Sequence, residues 1–337
     1  MSKLKLPVIQ PTTTTTSSQQ QTSLDDLLDG EQSYLPNDIF VSFVEAGKQQ
    51  FVFTGEENEK VSFVDNRPKP PTITKEHVSY SEIATWMECS FRHKLKYVDG
   101  IGLDGPSEHT EFGQVIHDVL EGYLERRVMP ELKDIKTILT ERFSKLENGG
   151  ALKEKDWHDV IEPMLLEVPT FMETSFPGWE FVASEHELLE PIASQTRKFK
   201  GFIDGVIKVP KKPKKSQKPT DPVEYEYHVI DWKTTSWGWA LSKKIDPKKT
   251  MQLALYKHFY ATKFGVDIKS VKCHFVLLKR SSKKERCELV TVSVGEKAIE
   301  KALDTINQML GYLKKGFFPK NRDNCKYCVY HRTEHCP

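Results

Sequence analysis

The apolar residues of the chain follow helical spacing in some segments and strand-like spacing in others. Apolar positions three to four residues apart predict amphipathic helices, whereas alternating or short continuous apolar runs predict strands. In chain order, the pattern predicts helices over 79–98, 111–127 and within 131–175, strands over 179–192, 197–209 and 224–235, a helix over 248–265, strands over 270–280 and 287–294, and a helix over 296–316. This order predicts an α/β fold with a central mixed β-sheet flanked by helices.

The N-terminal region has a different composition. Residues 12–23 contain no apolar side chain, so ordering them would cost backbone entropy without burying any apolar surface. A proline-rich run follows over 66–77, and such runs favour extended or loop structure. We therefore predict a largely disordered tail over residues 1–76 and a folded domain over residues 77–337.

Composition and charge exclude few classes of function. The 337 residues are 38% hydrophobic, which suffices for a substantial core, and the formal net charge is +1. Affinity for nucleic acid would therefore have to come from local basic patches rather than from the overall charge. The sequence has no apolar run of about 18 residues to span a bilayer, and its first residues lack the apolar stretch of a secretion signal. We expect a cytoplasmic protein without membrane contact.

An acidic and a basic residue lie two positions apart in the strand predicted over 224–235. Because side chains alternate between the two faces of a strand, Asp231 and Lys233 share a face with Val229. An ion pair at the surface would contribute only about 0.2–1 kcal/mol to stability. A functional interpretation therefore needs other residues that converge on the same place.

A second acidic residue lies in the preceding strand. Asp204 is flanked by Gly201 and Gly205, and a lysine-rich loop joins its strand to the strand of Asp231. If the two strands pair antiparallel, both aspartates lie on one face within reach of a single cation. Carboxylate oxygens are the ligands that Mg²⁺ and Mn²⁺ prefer. Lys233 would then polarise a water molecule or stabilise negative charge on a phosphate.

Polar residues on two predicted helices are candidates to complete such a site. His117 follows Gly113 by one helical turn, and Gln252 and Tyr256 are four residues apart on one helix face. A single helical histidine is more often structural than a ligand. Because Asp204 and Asp231 are predicted to bind a metal at the same site, we interpret His117 as a nitrogen ligand of that metal.

These motifs, in this order, resemble the RecB-like and CRISPR-associated-exonuclease-like branch of the PD-(D/E)XK nuclease superfamily. The resemblance covers roughly residues 78–337. It implies a restriction-endonuclease-like core, a DNA substrate and dependence on Mg²⁺ or Mn²⁺. The positions that match the branch are the metal ligands His117, Asp204, Asp231 and the backbone carbonyl of Trp232, the catalytic Lys233, and Gln252 and Tyr256, which shape the catalytic site.

Half of the cysteines are concentrated near the C-terminus. Cys325, Cys328 and Cys336 lie within the last 13 residues of the sequence. A metal or cluster bound by these three thiols needs a fourth ligand. Cys89 is the candidate, because a ligand so distant in the sequence would link the two ends of the domain. The resemblance implies a [4Fe–4S] cluster held by these four cysteines, with residues 325–337 fastened to the region of Cys89.

Zinc is the alternative metal for these cysteines. His331 and His335 lie close to the CxxC pair, and zinc accepts mixed thiolate and imidazole ligands. Ser90 stands where a proline commonly follows the first cysteine in iron–sulfur members of the branch, and the last cysteine gap is longer than usual. Free thiols are the least favoured interpretation, because a CxxC followed by a third cysteine is a dense arrangement.

Two basic segments are candidates for contact with nucleic acid. The loop over 211–218 is rich in lysine and is expected to project from the hairpin beside the predicted metal. The segment over 237–249 interleaves Trp237 and Trp239 with lysines, as single-strand binding surfaces do. We predict that lysines contact DNA and that at least one of the two tryptophans is buried.

Two further acids lie on the strand predicted over 179–192. Glu185 and Glu187 share one face of this strand because they are two residues apart. Either would be able to reach the predicted site as an additional acid, although acids on strands are commonly solvated.

The sequence as a whole is interpreted as a divalent-metal-dependent deoxyribonuclease. The first hypothesis is a single-strand-preferring exonuclease in DNA recombination, repair or processing, in which Lys233 assists in-line attack of an activated water on phosphorus. The alternatives are a catalytically silent DNA-binding partner of a helicase or recombinase, and a structure-specific endonuclease. An intact set of acids, imidazole and lysine favours an active enzyme, because a silent site has no physical reason to hold acids together.

Overall fold

The computed structural model describes residues 75–103, 105–146, 154–213, 218 and 220–337. All but the last two residues of the predicted tail, 1–76, lie outside the described residues, so its predicted disorder stays a prediction. Within the described part of the chain, no helix combines the length and the apolar character that a membrane crossing requires.

The described strands form one six-stranded sheet. They are β1 (His77–Ser79), β2 (Glu180–Pro191), β3 (Lys198–Pro210), β4 (Tyr225–Thr235), β5 (Val271–Lys279) and β6 (Cys287–Val292). The order across the sheet is β1-β3-β4-β5-β6, and β2 also pairs with β3. The β1–β3 and β4–β5 pairs are parallel and the other pairs are antiparallel. The predicted central mixed sheet is therefore confirmed.

Helices cover both faces of this sheet. The described helices are α1 (Tyr80–Glu88), α2 (Ser90–His93), α3 (Glu108–Arg126), α4 (Leu132–Phe143), α5 (Glu154–Leu165), α6 (Val168–Ser175), α7 (Leu241–Lys244), α8 (Pro247–Phe264) and α9 (Glu296–Lys314). One hydrophobic core, here called the α8 core, joins one face of the sheet to α8 and α9. The α3 core joins the opposite face to α3, α4, α5 and α6. The predicted α/β arrangement is confirmed.

Strand β5, between β4 and β6, is buried on both faces. Its sequence VKCHFVLLK is almost continuously apolar, as expected for a strand with a parallel neighbour and helices on both sides. Phe275 belongs to the α8 core and Val276 to the α3 core, which is the two-residue alternation of a strand. The same alternation in β4 places Trp232 in the α3 core and therefore directs Asp231 toward α8.

The helix predicted over 79–98 is interrupted at Cys89. The first helix ends at Glu88, and Cys89 has extended backbone angles of φ −162° and ψ 114°. The side-chain amides of Asn321 and Asn324 donate hydrogen bonds of 2.9 Å and 2.6 Å to the carbonyl oxygen of Glu88. Contacts with the C-terminal segment therefore stabilise the interruption, and local periodicity does not reveal it. The strand β1 is also unpredicted, because three residues are too few to show a period.

Candidate active site

Strands β3 and β4 separate at the position of the first predicted acid. Their antiparallel ladder ends at the Gly205–Ile230 pair. Asp204 is the residue of β3 just before this pair. Its Oδ2 accepts the backbone N–H of Trp232 at 2.8 Å, in place of a ladder hydrogen bond. Continuing the register would place Asp204 opposite Asp231. The two predicted acids therefore lie at the point where the strands diverge.

Two glycines allow close helix contacts on either side of Asp204. A Cβ atom at Gly201 would lie 2.8 Å from Cε1 of Tyr256 on α8, and one at Gly205 would lie 2.5 Å from Cδ1 of Leu124 on α3. Residues four apart on a regular strand point to the same side, so β3 reverses its faces around Asp204. The sequence GFIDG permits both the close contacts and the reversal.

The carboxylate of Asp231 is buried and does not use its full hydrogen-bonding capacity. Its side chain is 1% exposed, and Nζ of Lys233 lies 2.5 Å from its Oδ2. Oδ1 makes no hydrogen bond with any described residue. Burial by itself would lower the pKa of Lys233, but the negative charges of Asp231 and Asp204 outweigh burial and raise this pKa. Lys233 therefore stays protonated, and the unused oxygen of Asp231 is available to a cation.

Asp204 and His117 lie against each other beside this pair. Nδ1 of His117 is 3.4 Å from Oδ2 of Asp204, and the imidazole also hydrogen-bonds to the backbone of Trp232. Burial raises the pKa of Asp204 well above its usual range, and the negative charge of Asp231 raises it further. Burial lowers the pKa of His117, so the imidazole is neutral at pH 7. The site therefore combines crowded carboxylates with a neutral nitrogen ligand.

Two tyrosines lie on the α8 side of the site. Nε2 of Gln252 donates to the hydroxyl of Tyr256 at 3.1 Å, and burial followed by the charge of Asp231 raises the pKa of this hydroxyl. Burial and Asp231 raise the pKa of Tyr80 as well, and its hydroxyl donates to the carbonyl oxygen of Lys248 at 2.5 Å. The sequence does not identify Tyr80, because a position in the first turn of α1 gives no signal of proximity to β4.

The two acids of β2 have different surroundings. Oε1 of Glu187 lies 2.9 Å from Nζ of Lys200, and the Glu187 side chain is 48% exposed. Glu185 has a positive φ of 42°, and the pairs on either side of it in the β2–β3 ladder bracket Asp204. Burial and the charge of Asp231 are the larger causes that raise the pKa of Asp204, and the charge of Glu185 raises it further. Glu185 is therefore the acid of β2 that lies near the site.

The donors at this site fit a divalent cation. The unused oxygen of Asp231 and the neutral imidazole of His117 are donors for a cation, and a bound cation would relieve the repulsion from Asp231 that helps to raise the pKa of Asp204. Among the residues that the structure describes, no group of three or more His, Cys, Asp or Glu side chains is arranged to hold a metal ion. In this arrangement the charge of Asp231 is compensated by Lys233.

Comparison with known proteins assigns the chain to a family. A profile of the PD-(D/E)XK nuclease superfamily matches residues 77–333. The chain belongs to this superfamily. No curated protein sequence matches the chain. Among solved structures, a crystal structure of a Eubacterium rectale protein provisionally named an exonuclease has a TM-score of 0.47 and 13% identity, over 82% of this chain and 96% of that chain.

Membership in the PD-(D/E)XK superfamily supports nuclease activity on DNA. Nucleases of this superfamily typically use Mg²⁺ or Mn²⁺, in agreement with the donors gathered around Asp204. The RecB-like branch and the roles of the individual site residues stay predictions.

The cysteines predicted to bind a cluster in this PD-(D/E)XK protein line one pocket. They are Cys89, Cys325, Cys328 and Cys336. The backbone N–H of Asn321 donates to Sγ of Cys89 at 3.3 Å. His331 also lines the pocket, whereas Nε2 of His335 lies 3.5 Å from Oε1 of Glu334. The pocket thus gathers the four predicted thiol ligands and one of the two histidines considered for zinc.

The described residues that lead into the lysine-rich loop lie far along β3 from the acids. Pro210, the last residue of β3 before the loop, is about 20 Å along the strand from Asp204. Lys211 is bound to the fold, with its Nζ 3.1 Å from Oγ of Ser270. Residues 214–217, which include two lysines of the loop, lie outside the described residues. The predicted position of Lys214 and Lys215 beside the metal falls on residues outside the described part of the chain and stays a prediction.

The two tryptophans that follow β4 differ in exposure. Trp239 is 9% exposed and packs on Phe275, with 5.1 Å between the ring centroids. Trp237 is 64% exposed. The prediction that at least one of them is buried is confirmed, and the contact of the neighbouring lysines with DNA stays a prediction.

Proposed function

We propose that the chain is a divalent-metal-dependent deoxyribonuclease that hydrolyses phosphodiester bonds. One observation carries the proposal: two crowded carboxylates, a neutral imidazole and a protonated lysine meet where β3 and β4 separate. These groups belong to Asp204, Asp231, His117 and Lys233. Metal chemistry at a phosphate needs this combination of hard oxygen ligands and positive charge.

The residues expected to hold the metal are His117, Asp204, Asp231 and the backbone carbonyl of Trp232. Mg²⁺ or Mn²⁺ would supply Lewis-acid activation of water and of the scissile phosphate when bound. Because burial lowers the pKa of His117, protons do not compete strongly for its ring nitrogen at pH 7. The two carboxylates bring the negative charge that a divalent cation requires.

The remaining polar groups are proposed to act on the phosphate. Lys233 is protonated, and its ammonium group stabilises the negative charge that develops on the phosphate oxygens. The hydroxyl of Tyr256 keeps its proton because its pKa is raised, so it is able to donate a hydrogen bond to an oxygen of the substrate. Gln252 positions this hydroxyl through their 3.1 Å hydrogen bond.

Cleavage of labelled single-stranded and duplex DNA tests the proposal. Wild-type protein is expected to cleave DNA with Mn²⁺ or Mg²⁺ and to stop when the metal is chelated. Asp231→Asn is expected to be inactive with either metal. Absence of cleavage by the wild type, or full cleavage by Asp231→Asn, would refute the proposal. A silent DNA-binding partner of a helicase or recombination protein would then be the better explanation.

We further infer a preference for single-stranded DNA with a free end, in recombination, repair or processing of DNA. The support is the exposed Trp237, which follows the strand of Lys233 in a lysine-containing segment. An exonuclease should degrade linear single strands and leave circular single strands intact. Cleavage of circles would favour a structure-specific endonuclease instead.

We also propose that the cysteine pocket holds a [4Fe–4S] cluster, with zinc as the alternative metal. The support is that four thiols line one pocket and that one of them accepts a backbone N–H. Purified protein should be brown and contain iron and sulfide in equal amounts. Cys328→Ser should lose the iron, whereas Cys287→Ser, at a cysteine of β6, should keep it. Colourless protein with one zinc per chain would refute the cluster.

A further inference from the structure

The segment between β4 and α8 exposes apolar side chains next to the candidate active site. Residues 236–249, here called the linker segment, comprise this connection and the first residues of α8, and they lie between Lys233 and Gln252 in the sequence. The exposed apolar residues are Trp237 at 64%, Leu241 at 72% and Ile245 at 64%. Single exposed apolar residues are common, but three in one short segment indicate a binding surface.

Hydrogen bonds hold the backbone that carries Trp237. The hydroxyl of Thr235 donates to the carbonyl oxygen of Trp237. The N–H of Ser281 donates to the carbonyl oxygen of Ser236 at 3.0 Å, and the guanidinium of Arg280 donates to Oγ of Ser236 at 3.0 Å. The exposed indole therefore projects from a backbone that is tied to the end of β5, and it is preorganised for a flat ligand.

Two lysines of the linker segment lie over one buried indole, and neither lysine has a carboxylate partner among the described residues. Nζ of Lys243 and Nζ of Lys249 are 4.9 Å and 5.5 Å from the centre of the Trp239 ring. Neither makes an ion pair with a described residue, whereas the adjacent Lys244 lies 2.6 Å from Glu288. Burial lowers the pKa of Lys243, and the charge of Lys249 lowers it further. Two uncompensated ammonium groups attract an anion such as a phosphodiester.

The position of the linker segment connects it to the proposed reaction. Trp237 lies four residues after Lys233, which is about 13 Å in an extended chain. A nucleic acid strand whose phosphate reaches Lys233 therefore passes Trp237 within a few nucleotides. An unpaired base is able to stack on the exposed indole, whereas a paired base in a duplex presents only its edges.

We propose that the linker segment binds single-stranded nucleic acid beside the active site. Trp237 stacks on an unpaired base, and Lys243 and Lys249 bind a phosphate of the same strand. This inference rests on the proposed nuclease function and adds the residues that set its preference for single strands. Duplex DNA gains the lysine contacts but not the stacking.

Binding measured without cleavage tests the role of Trp237. Full-length Asp231→Asn protein, without divalent metal, is titrated into labelled single-stranded or duplex DNA, and fluorescence anisotropy gives the affinity. A 2-aminopurine in the single strand reports stacking because stacking quenches its fluorescence. Trp237→Ala should weaken single-strand binding about tenfold, abolish the quenching and change duplex binding less than about twofold. Trp237→Phe, which keeps an aromatic ring, should restore most of both signals.

The lysine pair is tested in the same assay. Lys243→Gln with Lys249→Gln should weaken binding of both kinds of DNA about tenfold and flatten the salt dependence, because two phosphate contacts are lost. Lys297→Gln with Lys301→Gln removes the same charge from exposed positions of α9 and is the matched control. The control pair should bind like the parent protein.

The outcomes separate this inference from the nuclease proposal. Unchanged single-strand binding in Trp237→Ala, or an equal loss for single-stranded and duplex DNA, would overturn the stacking role. An equal loss in the two lysine pairs would overturn the phosphate site. A wild-type protein that needs Trp237 to bind single strands but cleaves no DNA refutes the nuclease proposal alone. A protein that cleaves DNA and binds it independently of the linker segment refutes this inference alone.

Discussion

Two pairs of titratable residues, each with one buried member, lie on opposite faces of the sheet at β4 and β5. On the α8 side, Asp231 is 1% exposed and paired with Lys233. On the α3 side, Nδ1 of His228 lies 2.9 Å from Nε2 of His274, and Nδ1 of His274 lies 3.1 Å from Oγ1 of Thr291. Burial lowers the pKa of His228 to about 4 and that of His274 to about 3. Both histidines are therefore neutral at pH 7.

The two pairs accommodate burial in different ways. The histidines become neutral and form a hydrogen-bonded chain that ends on a hydroxyl. Nε2 of His228 has no hydrogen-bond partner among the described residues, but an unpaired neutral nitrogen is less unfavourable than an unpaired carboxylate oxygen. The carboxylate of Asp231 pairs with Lys233 and leaves one oxygen unused. Buried groups that lose their charge indicate a structural role, whereas a buried carboxylate with an unused oxygen indicates a site for a ligand.

Removal of the charge of Asp231 is expected to have the largest effect. Asp231→Asn should lower DNA cleavage by about 10²–10³-fold, because the site loses a metal ligand and the partner of Lys233. The free energy of unfolding should fall by about 1–3 kcal/mol, because Lys233 loses its partner and only its partial exposure limits the loss. Cleavage assays and urea unfolding measure the two quantities. Lost stability with retained cleavage would instead make Asp231 structural, like the histidine pair.

His274→Gln is expected to leave cleavage nearly unchanged and to reduce the pH dependence of stability. Because the pKa of His274 falls from 6.5 to about 3 on folding, the unfolded chain takes up a proton first as the pH falls. Wild-type stability should therefore fall with acidification below pH 6.5. One such imidazole accounts for about 2 kcal/mol between pH 7 and pH 5.

Urea unfolding of wild type and His274→Gln at those two pH values measures this effect. The variant should lose about 2 kcal/mol less than the wild type on acidification. His109→Gln, at an exposed histidine, is the matched control and should show the wild-type slope. An unchanged slope in His274→Gln, or a large loss of cleavage, would contradict a purely structural histidine pair.

The smallest expected effect distinguishes the two acids of β2. Glu185→Gln should weaken Mn²⁺ binding about fivefold, roughly 1 kcal/mol, because it removes a negative charge near Asp204. Glu187→Gln should leave the affinity unchanged, because Lys200 compensates Glu187 at the surface. Isothermal titration with Mn²⁺ measures both variants. Equal affinities for the two variants would show that Glu185 lies outside the field of the metal site.

The periodicity of the apolar residues predicts most of the described fold. The strand predicted over 224–235 corresponds to β4 (Tyr225–Thr235), and the helix predicted over 248–265 corresponds to α8 (Pro247–Phe264). Burial of one face dominates in long segments, so their pattern determines their structure. The interruption at Cys89 is different, because side chains more than two hundred residues away stabilise it.

The candidate site is predictable in its residue types and only partly in its surroundings. Asp231 and Lys233 are conspicuous in the sequence because charged residues are unusual in a strand that is otherwise apolar. The difference between Glu185 and Glu187 is not visible there, since both have the same strand parity. Tyr80 is also not identifiable, because its proximity to Asp231 depends on how α1 packs beside the sheet.

The sequence by itself determined the order of helices and strands, the residue types of the candidate site and the clustering of the cysteines. Only the tertiary structure decided where β3 and β4 separate and which tryptophan is exposed. The physical reason is that alternation and helical period record which face of each element is buried. Distances between residues far apart in the chain depend instead on how the elements pack against one another.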